Sequence, residues 1–324
     1  MTSKIHFLVA LFGGVFAAAV IFFTAYSNLS LLSQYAPWLV NAWGAAERFY
    51  YGSTQGSVFK STVRTITFHS DLLGEDRQML VYLPPGYDRN VKQKYPVVYL
   101  LHGVPGAKED WLVNAALESQ LDGMIAAKEL PPCVIVMPDG NGPQVMDSEY
   151  VDASLVSQPM ESYIVSEVVP YVDSHFRTLA DRRYRALGGL SSGAYGAVNI
   201  GLKHNELFSV LLSHSGYFVN HEWAVGQLFG GKTTAWHANN PQEYVGNLKL
   251  NPETSIYIEV GKIDFPDFIA GNQDFADKLT ALHIEHVYTE SDGIHSWSAW
   301  RVAIRQSLIY TASKWKQWGL GGIK

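Results

Sequence analysis

Tyr184-Arg-Ala-Leu-Gly-Gly-Leu-Ser191-Ser-Gly-Ala-Tyr-Gly-Ala-Val-Asn-Ile-Gly-Leu202 is the stretch from which the rest of the chain can be read. Tyr184 to Leu187 has the texture of a short strand, Ala194 to Lys203 that of a helix, and Gly189-Leu190-Ser191-Ser192-Gly193 joins them. A strand that turns this sharply into a helix brings together the residues two before and two after the bend, where only glycine or another very small residue fits. Ser191 has glycine at both places, whereas Ser192 has Leu190 and Ala194. The hydroxyl at the apex is therefore that of Ser191. A serine hydroxyl is a weak nucleophile until it is exposed and set beside a base.

The base is expected in a later loop. His295, in Ser291-Asp-Gly-Ile-His-Ser-Trp-Ser-Ala-Trp300, follows the last predicted strand and precedes the last helix, with Ser296 placed to cap that helix. His102, His214 and His221 compete, the first two at strand ends where a structural hydrogen-bonding role is expected. The orienting carboxylate should lie between serine and histidine in the chain, because elbow enzymes run Ser, Asp/Glu, His. Asp264, after the turn Gly261-Lys-Ile, fits that place; Asp267 is the runner-up, and Asp292 is too close to His295. An oxyanion formed at Ser191 needs backbone N–H donors. Ser192 supplies one, and Val104, in His102-Gly103-Val104-Pro105, the other, with Gly103 as fallback because Pro105 has no N–H.

Outward from the elbow, strands alternate with helices. Ser61–Phe68 and Gln78–Leu83 alternate around a Gly74 turn and read as a hairpin. Val97–Leu101, Val134–Met137 and Val210–Leu212 are continuous apolar runs, as expected of strands buried on both faces of a parallel sheet. Ser255–Val260 and His286–Thr289 add two more. Helical spacing covers 115–128, 161–176, 194–203, 272–282 and 296–315. This order predicts an α/β fold with a mostly parallel central sheet and helices on both faces. Residues 217–250, with Tyr217, Trp223, Phe229 and Trp236, read as an excursion over the substrate side of the sheet.

The 324 residues are 47% hydrophobic and 17% charged, an ordinary globular balance that leaves enough apolar residue for a sizeable core. A net charge of −6 without any basic run argues against nucleic acid as partner. The single cysteine, Cys133, excludes an intrachain disulfide and a cysteine-based zinc site, and sits in an apolar run that suits a buried thiol. His283-Ile-Glu-His286 spaces two histidines by three on a helix-to-strand passage, not on the face a zinc helix needs. No metal or cofactor is expected. Phe7 to Ala25 is almost wholly apolar, and 19 residues of helix would span about 28 Å, close to the hydrocarbon core of a bilayer. Residues 1–26 therefore read as a transmembrane anchor, with a cleaved signal segment (Ala17-Ala-Ala19) and a core helix as alternatives. Lys4 before the run places the bulk of the chain outside the cytoplasm, single-pass if anchored and secreted if cleaved. Residues 27–60 form a juxtamembrane linker and 61–318 the catalytic domain.

From about Val63 onward the chain resembles the putative-esterase family of α/β-hydrolases, which includes feruloyl and other carboxylic esterases, S-formylglutathione hydrolases and mycobacterial mycolyltransferases. The resemblance rests on Val81-Tyr-Leu-Pro-Pro-Gly-Tyr87, Tyr95-Pro-Val-Val-Tyr-Leu-Leu-His-Gly103, Asp110-Trp111, Pro138-Asp-Gly140, Glu167-Val-Val-Pro-Tyr-Val172, Phe176-Arg177, Leu187–Gly196 and Gly293-Ile-His-Ser-Trp297 with Trp300. It implies the α/β-hydrolase fold and gives Ser191, Asp264 and His295 the triad roles. Gly293-Ile294-His295 departs from the family's more frequent Gly-Gly-His. The implied activity is a serine carboxylic-ester hydrolase acting on a small-molecule, lipid or sugar ester. Two alternatives stand beside it: an acyltransferase discharging to a sugar or lipid hydroxyl, and a non-catalytic binding protein on the same scaffold.

Overall fold

The computed structural model describes residues 60–219 and 222–320, which fall in the larger of two compact units, Ser57–Lys324. The anchor expected over 1–26, and the linker apart from Lys60, lie outside the described residues, as do His221 and the Trp223 side chain. Among the described residues no helix is long and apolar enough to cross a membrane.

The expected hairpin forms from β1 (Thr62–Ser70) and β2 (Glu75–Leu83), closed by a turn in which Gly74 takes φ 69°. Six further strands follow: β3 (Val97–Leu101), β4 (Val134–Pro138), β5 (Arg185–Leu190), β6 (Val210–His214), β7 (Ser255–Gly261) and β8 (His286–Ser291). They make one sheet of order β1-β2-β4-β3-β5-β6-β7-β8, antiparallel at β1/β2 and β2/β4 and parallel elsewhere.

Alternate residues of a strand face opposite sides, and here both sides are apolar. Val97, Tyr99 and Leu101 of β3 join a cluster with Val169, Val172, Val198 and Phe275. Val98 and Leu100 join a second cluster with Trp111, Leu121, Ile304 and Leu308. The helices Val169–His175, Ser192–Lys203 and Pro266–Ala281 thus cover one face, and Leu117–Ala126 and Trp297–Gln317 the other. Each large side chain so buried contributes about 2 kcal/mol, so packing outweighs the weaker helix propensities of these segments.

The helix expected over 115–128 forms as Leu117–Ala126, and a separate short helix, Asp110–Asn114, precedes it; Ala116 between them adopts the left-handed region (φ 49°) with no glycine or proline to announce it. Two local expectations are corrected. The helix expected from 272 begins at Pro266, whose fixed φ suits a first helical turn. Ser296 stands at the N-cap of the last helix but makes no capping hydrogen bond; its hydroxyl pairs with that of Ser298 at 2.7 Å. The excursion is also more regular than its composition suggests, with helices Glu222–Phe229, Thr234–His237 and Pro241–Tyr244.

Chain order reverses between β3 and β5: β3 leads outward to β4, β5 the other way to β6. Such a switch point opens a crevice at the carboxyl ends of the strands, where ligands bind in open α/β sheets. Ser191 follows β5 directly, and Gly103 and Val104 lie just beyond β3.

Candidate active site

Ser191 has φ 53° and ψ −122°, a strained conformation for a residue with a side chain, and is followed at once by the helix Ser192–Lys203. The bend is as crowded as the sequence requires. A Cβ on Gly189 would stand 2.3 Å from the Gly193 carbonyl oxygen, and one on Gly193 would stand 2.4 Å from that of His102. Gly103 is required by close approach, since a Cβ there would lie 2.6 Å from Leu190 Cδ1 and 3.2 Å from Ser191 Cβ. The loop holding Gly103 and Val104 therefore lies against the nucleophile. Ser192 is the first helical residue, so its N–H has no partner within the helix.

His295 and Asp264 converge on this bend. His295 Nε2 is 3.1 Å from Ser191 Oγ, and Nδ1 is 2.9 Å from Asp264 Oδ1. The Asp264 side chain is fully buried, while Asp267 is exposed in the first turn of the next helix, pointing away from the role of runner-up. Burial alone would raise the Asp264 carboxyl pKa. The hydrogen bonds from His295 and the Phe265 N–H (2.7 Å), with the nearby Ser215 hydroxyl and imidazole charge, together outweigh it and hold the group below the usual carboxylate range. The imidazole is clamped by Trp300, edge-on at 4.8 Å between centroids, and by Phe268 at 5.3 Å.

Sequence reasoning did not single out Ser215. It is buried, left-handed (φ 50°) and fixed through its N–H to the Glu259 carbonyl at 2.7 Å. Its Oγ accepts the Trp300 indole N–H at 2.9 Å, and its hydroxyl helps to lower the pKa of the nearby Asp264 carboxyl, whose Oδ2 has no hydrogen-bond partner among the described residues. The only signals in the sequence were Ser215-Gly216 at a strand end and Trp300 near His295.

Two of the competing histidines, His102 and His214, are occupied. His102 accepts the Gly140 N–H at Nε2 (2.9 Å) and pairs through Nδ1 with the Gly103 carbonyl (2.8 Å), a neutral tautomer by necessity. His214 bridges Glu259 (3.2 Å) and Ser307 (3.0 Å) in the core. The motif residues around them brace the Gly103 loop: Trp111 Nε1 donates to the Leu101 carbonyl (2.9 Å), Asp110 accepts the Ala107 N–H (3.0 Å), and Asn141 donates to the Gly106 carbonyl (2.9 Å). Cys133 is fully buried, and burial pushes its thiol pKa up, away from reactivity. No cluster of three metal-ligating side chains occurs among the described residues.

The profile of the family described as Putative esterase matches residues 70–311, three quarters of the chain and every residue of this site. The chain belongs to the putative-esterase family. Among relatives of known sequence, an acetyl esterase of Caldicellulosiruptor saccharolyticus is 25% identical over 74% of this chain and 93% of its own length. Esterase Rv1288 of Mycobacterium tuberculosis is 27% identical over 70% of this chain and 54% of its own. This putative-esterase chain thus spans little more than half of some curated relatives it matches. A solved ferulic acid esterase superposes with a TM-score of 0.72 at 26% identity, covering 79% of this chain and 99% of that one.

Proposed function

We propose that the chain is a carboxylic-ester hydrolase that works through an acyl-enzyme on Ser191. The observation that carries the proposal is the unbroken hydrogen-bond line from Ser191 Oγ through both ring nitrogens of His295 to the buried Asp264 carboxylate. In this reading Ser191 Oγ attacks the ester carbonyl while His295 Nε2 takes its proton. Asp264 holds the Nδ1–H tautomer and stabilises the imidazolium, and His295 then protonates the departing alcohol. The N–H groups of Ser192 and Val104 receive the oxyanion, each worth about 3 kcal/mol in the transition state. Water repeats the cycle on the acyl-enzyme. Relatives named for acetyl and ferulic acid esters support a carboxylic acyl group.

Replacing Ser191 by Ala is expected to abolish fluorophosphonate labelling and to cut hydrolysis of nitrophenyl acetate by roughly 10⁴-fold or more, with the melting temperature retained. A folded Ser191→Ala protein with undiminished turnover would end the serine reading.

The acyltransferase alternative drew on the aromatic residues of the excursion as a cover against water. Tyr217, Phe229 and Trp236 are instead buried against Val151, Tyr195 and Phe268, so they pack the excursion to the body rather than offer a surface. Membrane attachment through Phe7–Ala25, with residues 61–318 outside the cytoplasm, remains part of the proposal on the strength of that apolar run alone. Resistance of the full chain to alkaline extraction from membranes supports it; recovery in the soluble fraction counts against it.

A further inference from the structure

The proton that His295 takes up must reach the oxygen of the departing alcohol, so the alcohol leaves along the imidazole side of Ser191. Phe265 borders that side, and two more exposed apolar residues stand on the loops that carry Asp264 and His295. Phe265 packs on the His295 ring with centroids 5.0 Å apart and is 56% exposed. Ile263 is 72% and Ile294 51% exposed. The two loops that carry Asp264 and His295 abut along their backbones. Lys262 N–H donates to the Ser291 carbonyl (2.8 Å) and Ile263 N–H to that of Gly293 (3.1 Å). A Cβ on Gly261 would come within 2.4 Å of the Gly293 oxygen.

Scattered exposed apolar residues are ordinary. These three are not scattered: Ile263 and Phe265 flank Asp264, and Ile294 precedes His295. The charges on the same loops, Lys262 and Asp292, neutralise each other at 2.6 Å and offer no counter-ion to a charged ligand.

We infer that Ile263, Phe265 and Ile294 form the shelf on which the alcohol part of the substrate rests, and that this alcohol presents an apolar or aromatic face. The inference rests on the serine-esterase reading above. In the step concerned, the bond from Ser191 Oγ to the acyl carbon forms and the bond from that carbon to the alcohol oxygen breaks. The proton on His295 Nε2 passes to the released oxygen. The shelf therefore acts in acylation and is vacated before water enters.

The test compares benzyl acetate with methyl acetate, which share one acyl-enzyme and release alcohols of similar acidity. The wild-type chain should favour the benzyl ester in kcat/KM. In the Ile263→Ser/Phe265→Ser double variant that preference should fall about tenfold. Because the ratio is taken within each protein, any general loss transmitted through His295 cancels. Ile294→Ser, on the other loop, should lower the ratio in the same direction, and thermal melting controls for folding. Microscopic reversibility adds a second readout: with benzyl alcohol added, the acetyl-enzyme should divide between water and benzyl alcohol, and the alcohol's share should drop in the variants. Three results would overturn the inference. They are an unchanged benzyl-to-methyl ratio, an altered selectivity among acyl chains on a fixed alcohol, or a loss seen only when the ester is aggregated. Persistence of both activities in Ser191→Ala would instead sink the serine reading, so the two failures are distinguishable.

Discussion

Ser215 shows how far the geometry at one hydroxyl reaches. Its lone pair is filled by the Trp300 indole, its backbone is held left-handed, and its hydroxyl is one of the groups that lower the Asp264 pKa. Ser215→Ala is expected to lower kcat by about tenfold with little change in KM, because orientation of the base matters in the transition state more than in substrate binding. The folded Asp264 carboxyl pKa is depressed, so its contribution to stability is present above the unfolded carboxylate value of about 4 and is lost as pH falls through its lower folded value. In Ser215→Ala that loss should begin at higher pH, read as an earlier acid-side fall in melting temperature. Gly189→Ala and Gly193→Ala should each fail to give a stable protein, since a methyl group at either place would overlap backbone atoms at under 2.5 Å; a folded, labelled Gly193→Ala would mean the bend can open.

The strands and the bend were legible because both have strong local signatures. Five apolar runs and one alternating hairpin became strands within a few residues of their expected ends, and the elbow depended on glycines whose neighbours the sequence itself supplied. His295 and Asp264 were found by chain order and position after strands, and coordinates bring both to Ser191. What stayed hidden was decided by distant partners. Nothing near Ala116 marks a helix break, and Ser215 matters only because Trp300, 85 positions away, donates to it. The three helices of the excursion were not legible for a similar reason. The excursion is held by a polar network: Glu161 binds Lys203 and His204 (2.8 Å), Lys203 and Asn199 bind Asn239 (2.7 and 2.9 Å), and Tyr244 binds Asn199 (2.8 Å). The network joins the excursion to the helix that begins at the nucleophile. Donating a hydrogen bond to Glu161 raises the His204 pKa; burial would raise that of Glu161, but its two cations bring it below normal. A raised histidine stabilises the fold below the unfolded value of about 6.5 and loses that contribution as pH rises through the folded one, whereas a lowered glutamate contributes above about 4.3. The network should therefore be firmest near pH 5 to 6. His204→Gln should narrow the difference in melting temperature between pH 6 and pH 8; an unchanged difference would discount the pair.

The described residues form one compact unit that begins at Ser57, with its own two-sided core. A chain cut to start at Ser57 is expected to melt at the same temperature as the full chain and to hydrolyse soluble esters at the same rate, while no longer sedimenting with membranes. A large fall in melting temperature would show that the first 56 residues take part in the fold. Within this unit the reactive groups are assembled from far apart along the polypeptide. His295 comes 104 positions after Ser191, and the helix that follows it completes the cluster under β5 and β6. During synthesis, then, Ser191 emerges long before His295. A nascent polypeptide holds Ser191 without His295 until the last helix is about to be translated, and a product cut short there leaves the apolar face of Val98, Leu100, Trp111, Val210 and Leu212 without its cover.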